Sequence, residues 1–320
     1  MAHPLESLLR YLDGIGYRFV TITPVSHARV LARDPGRVAR SPEDVVGWNL
    51  PFASGEIDPA IETLLADAGA IEASENGLLR SAIRVSTVEG RLFLHSAYPT
   101  VTPDSVFLGP DTCRFVRLIR DELQVSPVGS EGVIVDIGTG SGAGAVVAAD
   151  LCPGAKLMMT DLNPRALELA AINARYAGHS AEARQGRNLA GLEGGVDLAL
   201  ANPPYVIDAA GRAYRDGGGM HGAAVSIEMA EAALSALNPG GRLILYTGSA
   251  IVSGEDMMQR VLQDMVRSHD MRLRYWEIDP DVFGEELENP QYQDVERIAA
   301  IAAIVTRPDR AQSATQRAAR

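Results

Sequence analysis

Residues 202–205, "NPPY", close the apolar run "LALA" more abruptly than an ordinary strand end requires. Pro203 and Pro204 have no N–H to give a ladder, and Asn202, standing before a proline, is pushed out of helical space. What remains is a carboxamide oxygen, a backbone carbonyl stiffened by consecutive prolines, and the ring of Tyr205. Two acceptors side by side can take both N–H bonds of a planar amide or aromatic amine, and a ring beside them offers a face for stacking. A plain strand terminator also reads Asn-Pro, so the motif draws its meaning from the rest of the chain.

Upstream, "VIVDIGTGSGAGA" runs strand, glycine turn, helix. Gly138, Gly140 and Gly142 let the backbone pass close to a ligand and supply positive φ, and the helix start behind them presents free N–H groups and positive potential. The spacing is Asp-x-Gly-x-Gly-x-Gly, headed by Asp136. The dinucleotide fingerprint is met only in its alanine variant, through Gly140, Gly142 and Ala145. Asp161 closes the following strand in "TDLNPRALELA", where a carboxylate can accept from the two hydroxyls of a ribose. Capping the turn and capping the next helix are the plain structural roles open to Asp136 and Asp161.

The elements that must hold these residues alternate. "VIVDI" (133–137), "KLMMTD" (156–161), "AEARQ" (181–185), "VDLALA" (196–201) and "RLILYTG" (242–248) read as strands, nearly continuously apolar, as parallel strands buried on both faces are. Helices are expected over 142–150, 164–177, 222–237 and 254–268, and two last strands, "MRLRYWEI" and "RIAAIAAIV", flank a long acidic loop. The fold class is α/β, a doubly wound sheet. Met257–Met265 and the pair Tyr275–Trp276 read as packing. Before residue 105 the pattern changes: "HPLESLLRYLDGIGY" and "DPAIETLLADAG" read as helices, the second capped by Asp58 and stopped at Gly69. "LLRSAIRVSTVEGRLFLHSA" alternates about "VEGR", a hairpin signal. Helices followed by a hairpin suggest a small α+β, winged-helix-like unit. The expected domains are 1–104, for substrate recognition or dimerisation, 105–307, for ligand binding and chemistry, and a polar tail, 308–320.

Composition narrows the function classes. The formal net charge of −12 disfavours unspecific attraction to phosphate backbones and anionic membranes. Apolar runs are too short to cross a bilayer and no signal segment opens the chain, so it is expected in the cytoplasm. Cys113, Cys152 and six scattered histidines show no metal-ligand spacing, so no metal is expected.

Together, "VIVDIGTGSGAGA", "TDLNPRALELAAINA" and "LALANPPY" resemble the class I S-adenosylmethionine-dependent methyltransferases. Within them the chain resembles the Asn-Pro-Pro-Tyr branch, which includes release-factor glutamine methyltransferases and small-domain ribosomal-RNA guanine methyltransferases. The resemblance spans about residues 105–306 and implies a Rossmann-like sheet of seven strands, the last antiparallel. It implies S-adenosylmethionine as cofactor, with Gly138, Thr139, Gly140 and Gly142 along its methionine part and Asp136 at its amino group. Asp161 would hold the ribose, and Leu162 and Asn163 would lie against the adenine. Asn188, in "QGRNL", stands where the family usually places an aspartate. "FLGPDTCRF" occupies the position of the family's lid without its Pro-Arg start, and Thr112 would cover the cofactor.

The resemblance makes Asn202, Pro203, Pro204 and Tyr205 the catalytic group, with Asn202 also beside the cofactor. Methyl transfer is an in-line displacement that needs positioning more than activation, and two acceptors orient the nitrogen and stabilise the charge growing on it. The glycine-rich segment after the motif offers Arg212, Tyr214, Arg215 and His221 as substrate contacts. The leading reading is N-methylation of a protein glutamine, of release-factor type. Its alternatives are an exocyclic amine of ribosomal RNA, which six arginines against three acids in the first 40 residues favour, and a small molecule. A homodimer formed through the N-terminal unit accompanies the last of these. A cofactor sensor and a dinucleotide oxidoreductase are the remaining competitors.

Overall fold

The computed structural model describes residues 3–100, 102–189, 192, 194–208, 211–212 and 214–309. Three helices open it, α1 (Pro4–Gly14), α2 (Pro24–Leu31) and α3 (Pro59–Asp67), each with proline in the first turn, where the missing N–H costs no hydrogen bond. Asp58 caps α3 through Ala60 N at 2.9 Å and Gly69, at φ +63°, ends it, as expected. α2 escaped the sequence reading because it buries a single side chain, His27, and so has no apolar stripe.

Two antiparallel ribbons follow. β1 (Ile71–Ala73) pairs β2 (Leu79–Ser81), and β3 (Ile83–Val88) pairs β4 (Arg91–Ser96) across Glu89-Gly90, both at positive φ as a tight hairpin turn requires. The second ribbon does not stand out as a free wing. Val85, Ser86, Leu94 and His95 are fully enclosed, and their core continues into Ala166, Leu169 and Ile172 of a later helix.

Next comes α4 (Pro110–Val125), a helix where the sequence suggested only a lid. Its buried Phe115, Val116, Ile119 and Leu123 follow the helical period, a legible signal hidden by the segment's charge. The sheet is built from β5 (Val133–Ile137), β6 (Lys156–Asp161), β7 (Glu182–Gln185), β8 (Val196–Ala201), β9 (Leu237–Val252), β10 (Glu255–Asp256), β11 (Arg272–Asp279) and β12 (Arg297–Thr306). Its spatial order is β11-β12-β9-β8-β5-β6-β7, with the two-residue β10 hanging on β9. β5 to β9 are parallel along this path, while β12 is antiparallel to both neighbours. The seven expected strands are present, the last antiparallel, with β10 added and β9 longer than expected because it takes in "NPGG".

Helices α5 (Ala143–Leu151), α6 (Pro164–Tyr176), α7 (Ala224–Ala236) and α8 (Met257–Ser268) cover the faces. Alternate strand residues serve opposite sides: Ile134, Leu198, Leu200 and Ile244 share a core with α4 and α5, and Val135, Ala199, Ala201 and Leu243 share one with α7 and α8. Met258 and Met265 are core residues, whereas Trp276 is 38% exposed, contrary to its expected role in packing.

The chain passes from β5 out to β6 and β7, then returns to the other side of β5 as β8. At such a reversal the connections leave in opposite directions and open a crevice beyond the carboxyl ends of β5 and β8. The glycine turn and "NPPY" follow those two strands.

Candidate active site

The crevice is a cleft of about 1200 Å³. Asp136, Gly138, Thr139, Gly140, Asp161, Leu162, Asn163, Asn188, Asn202, Pro203, Pro204 and Tyr205 all line it. Of the sequence-derived residues, Gly142 does not. It has φ +78°, and a Cβ there would stand 3.0 Å from that of Ala170, so its part is to let the turn pass close to α6.

The glycine turn is held from both sides by carboxylates. Asp136 Oδ2 accepts from Thr139 Oγ1 (2.8 Å) and Ala145 N (3.0 Å), while Asp161 accepts from Gly140 N (3.0 Å) and Asn163 N (2.9 Å). Burial pushes the Asp136 carboxyl up to about 7, against the opposing pull of those two donors. Asp161 is also raised by burial. Asp136 therefore carries its plain turn-capping role, whereas Asp161 braces the glycine turn and leaves the cap of the next helix to Asn163; both still border the cleft. Asn163 caps α6 through Arg165 N (2.9 Å) and ties it to Asp104 O (2.8 Å), while Leu162 is 53% exposed.

Asn188, at φ +52°, donates to Glu228 Oε1 at 2.8 Å, and Arg187 forks onto the same carboxylate. Its Nδ2 is thus committed, leaving Oδ1 as an acceptor. Glu228 itself lines the cleft; sequence reasoning missed it because its pairing with Asn188 spans 40 residues. Thr112 lines the cleft too, and its hydroxyl accepts from Gly109 N (3.3 Å) at the start of α4.

At the motif, the Asn202 carboxamide forms no hydrogen bond among the described residues. Tyr205 behaves differently from the sequence expectation. It is 7% exposed, with its ring met at steep angles by Phe283 (5.7 Å between centroids) and Tyr246 (6.3 Å). A Cβ at Gly248 would fall 2.2 Å from its Cδ2. The face expected to receive a planar group is largely covered, and the ring instead anchors the motif. Its hydroxyl is buried without a partner beside Tyr246, which donates to Asp111 Oδ1 at 2.7 Å. Asp111 and Gly248 were not legible, since each acquires its place by tertiary contact.

The glycine-rich segment lies directly over this anchor. Gly217 N donates to Val206 O (2.8 Å), and a Cβ on Gly222 would stand 2.4 Å from Tyr205 O. Of the proposed substrate contacts, Arg212, Tyr214 and Arg215 line the cleft but are engaged with Asp208, Thr100 O and Glu286, respectively. His221 is not on the lining; it meets Asp294 at 3.0 Å. Asp281, Val282, Phe283 and Glu285 bring the acidic loop onto one wall. Among the described residues no group of three or more His, Cys, Asp or Glu is placed to hold a metal, and no helix is long and apolar enough to cross a membrane.

Residues 116–272 match the model of the methyltransferase small domain family. The release factor glutamine methyltransferase of Deinococcus radiodurans is 32% identical over 157 residues, which is 48% of this chain and 55% of that protein. The protein of the same name from Moorella thermoacetica is 37% identical over 163 residues, 47% of this chain and 56% of its own length. The chain thus spans little more than half the length of these curated relatives. A solved tRNA methyltransferase of M. jannaschii aligns over 74% of this chain and 59% of its own, with 14% identity and a TM-score of 0.47.

Proposed function

We propose, from the match of residues 116–272 to the methyltransferase small domain family, that this chain methylates a planar amide or amino nitrogen, with a protein glutamine as its acceptor. The observation that carries the reading is an unpaired Asn202 carboxamide at the carboxyl end of β8, in one cleft with the glycine turn that follows β5. S-adenosylmethionine, when bound, supplies a methyl group on a positively charged sulfur. The cleft suits it: Asp136 is a buried carboxylate available to an ammonium, Asp161 is an acceptor for ribose hydroxyls, and Gly138, Thr139 and Gly140 present a close backbone. Leu162, Asn163 and Asn188 are assigned to the adenine, the last through its free Oδ1.

Asn202 Oδ1 and the Pro203 carbonyl hold the acceptor's N–H bonds and favour the positive charge that grows on nitrogen. Pro204 keeps that carbonyl rigid, and Tyr205, wedged between Phe283 and Tyr246, fixes the turn. This assigns Tyr205 to positioning. The relatives named as release factor glutamine methyltransferases support a protein acceptor.

The arginine excess of the first 40 residues supports an RNA amine as the second reading. Tritiated S-adenosylmethionine, incubated with the protein and a lysate from cells lacking it, separates the two. Protease-sensitive label lost in Asn202→Ala supports the first reading, nuclease-sensitive label moves the assignment to RNA, and label surviving both points to a small molecule. Sedimentation as a monomer would remove the proposed homodimer.

A further inference from the structure

The cleft continues past Asn202 into the N-terminal part of the chain, and its lining changes sign. Around the glycine turn and the acidic loop it is rich in carboxylates. The wall made by residues 23–29, Asn49, Arg80, 98–100 and 105–107 contributes none to the lining, and Asp104, beside it, is exposed.

Arg80 lies on that wall, in β2. Its guanidinium forms no ion pair or hydrogen bond among the described residues, and Nε is buried without a partner. Glu72, its cross-strand neighbour, is exposed and makes no ion pair with it. Behind the wall sits Arg84, 0% exposed. Nε donates to Gly47 O at 2.6 Å, both terminal nitrogens are buried and unpartnered, and Cζ lies 4.1 Å from the centroid of the Tyr98 ring. Tyr98 itself lines the cleft.

Arginine cannot shed its proton to escape burial, and an unpaired buried charge costs several kcal/mol. Half-buried Arg80 on the wall and buried Arg84 behind it, neither in an ion pair among the described residues, leave a positive arm in a chain whose net charge is −12. A guanidinium fork matches a compact oxyanion in two parallel hydrogen bonds. A polyphosphate strand would also have to pass the carboxylates that line the rest of the cleft, whereas one carboxylate needs only the arm.

We propose that Arg80 is a subsite for a carboxylate carried by the acceptor polypeptide, which it holds while the reacting nitrogen reaches Asn202. The second half of that statement rests on the proposed function; the anion site does not.

The test uses acetate and inorganic phosphate as probes on the full chain, by 13C and 31P line broadening at constant ionic strength, with S-adenosylhomocysteine affinity measured by calorimetry beside it. Acetate is expected to bind the wild type in preference to phosphate, and Arg80→Gln to weaken it roughly tenfold while leaving S-adenosylhomocysteine within about twofold. If Arg80→Gln also loses S-adenosylhomocysteine, Arg80→Lys, which keeps the charge without the fork, is expected to weaken acetate by at least about threefold. Equal acetate binding in wild type and variant overturns the proposal, and tighter binding of phosphate than acetate moves the site to a nucleic-acid acceptor. A wild type that takes acetate and not S-adenosylhomocysteine would sink the proposed function and leave the anion site standing.

Discussion

At Asn202 a carboxamide stands free at the carboxyl end of β8, in the cleft. Asn202→Ala is expected to lower kcat by about 100-fold or more, the scale set by removing one preorganised acceptor at a growing charge, while S-adenosylhomocysteine binding changes little. Equal losses of kcat and product affinity would instead make Asn202 a cofactor ligand alone. Asp136 offers a second test, through pH. Folded, its carboxyl keeps its proton up to about 7; the ordinary value is 3.8. Between those limits the folded state binds more protons than the unfolded one, so stability falls as pH rises through the window and the full cost persists above it. Asp136→Asn should therefore raise the melting temperature of the ligand-free protein, more at pH 8 than at pH 5, and weaken S-adenosylhomocysteine. A melting temperature lowered equally at both pH values would show that the carboxylate contributes only its hydrogen bonds.

Among the elements, β9 and α6 carry consequences for the site without entering its chemistry. Gly248 in β9 is the floor on which Tyr205 lies, and an alanine methyl there would overlap the ring. Gly248→Ala is expected to displace Tyr205 and cost roughly tenfold or more in kcat, since small misplacements at a reacting centre are expensive. The cofactor-side affinity should hold, and an unchanged kcat would refute the anchoring role. On α6, fully buried Asn173 accepts from Leu94 N (2.9 Å) and donates to Leu94 O (3.0 Å) and Ser141 O (2.8 Å). One side chain thus ties β4 to α6 and to the glycine turn. Asn173→Ala strands three buried groups and should destabilise by about 3–5 kcal/mol, read from the shift of the urea midpoint. A loss below about 1 kcal/mol would mean that water replaces the amide.

Across the whole molecule, the boundary we propose at residue 104 divides the sequence more cleanly than it divides the packing. Ala166, Leu169 and Ile172 of α6 belong to the core of the first hundred residues, and the cleft takes its lining from both sides. A fragment of residues 105–309 would expose that helix face. It is expected to melt at least about 5 °C below the full chain and to self-associate, as circular dichroism and size exclusion would show. A monomeric fragment with the parent melting temperature would establish the two parts as independent domains.

Sequence determined what local chemistry dictates. Strand runs such as "VIVDI" and "VDLALA" announce themselves because both faces of a parallel sheet are buried, and Pro203-Pro204 must end a strand wherever it lies. The glycine turn, Asp161 and the Asn-Pro-Pro-Tyr motif were legible for the same reason: each is a short-range arrangement whose spacing is fixed by backbone geometry. Helix α2 was not, having no apolar stripe, and neither was the covering of the Tyr205 face, which depends on Phe283, Tyr246 and Gly248 arriving from distant strands and loops. Glu228 on Asn188, Asp111 on Tyr246 and the unpaired guanidinium of Arg80 are likewise products of packing. Charge pairing and desolvation act through space, so only the tertiary structure decides which carboxylates and guanidinium groups find a partner and which are left for a ligand.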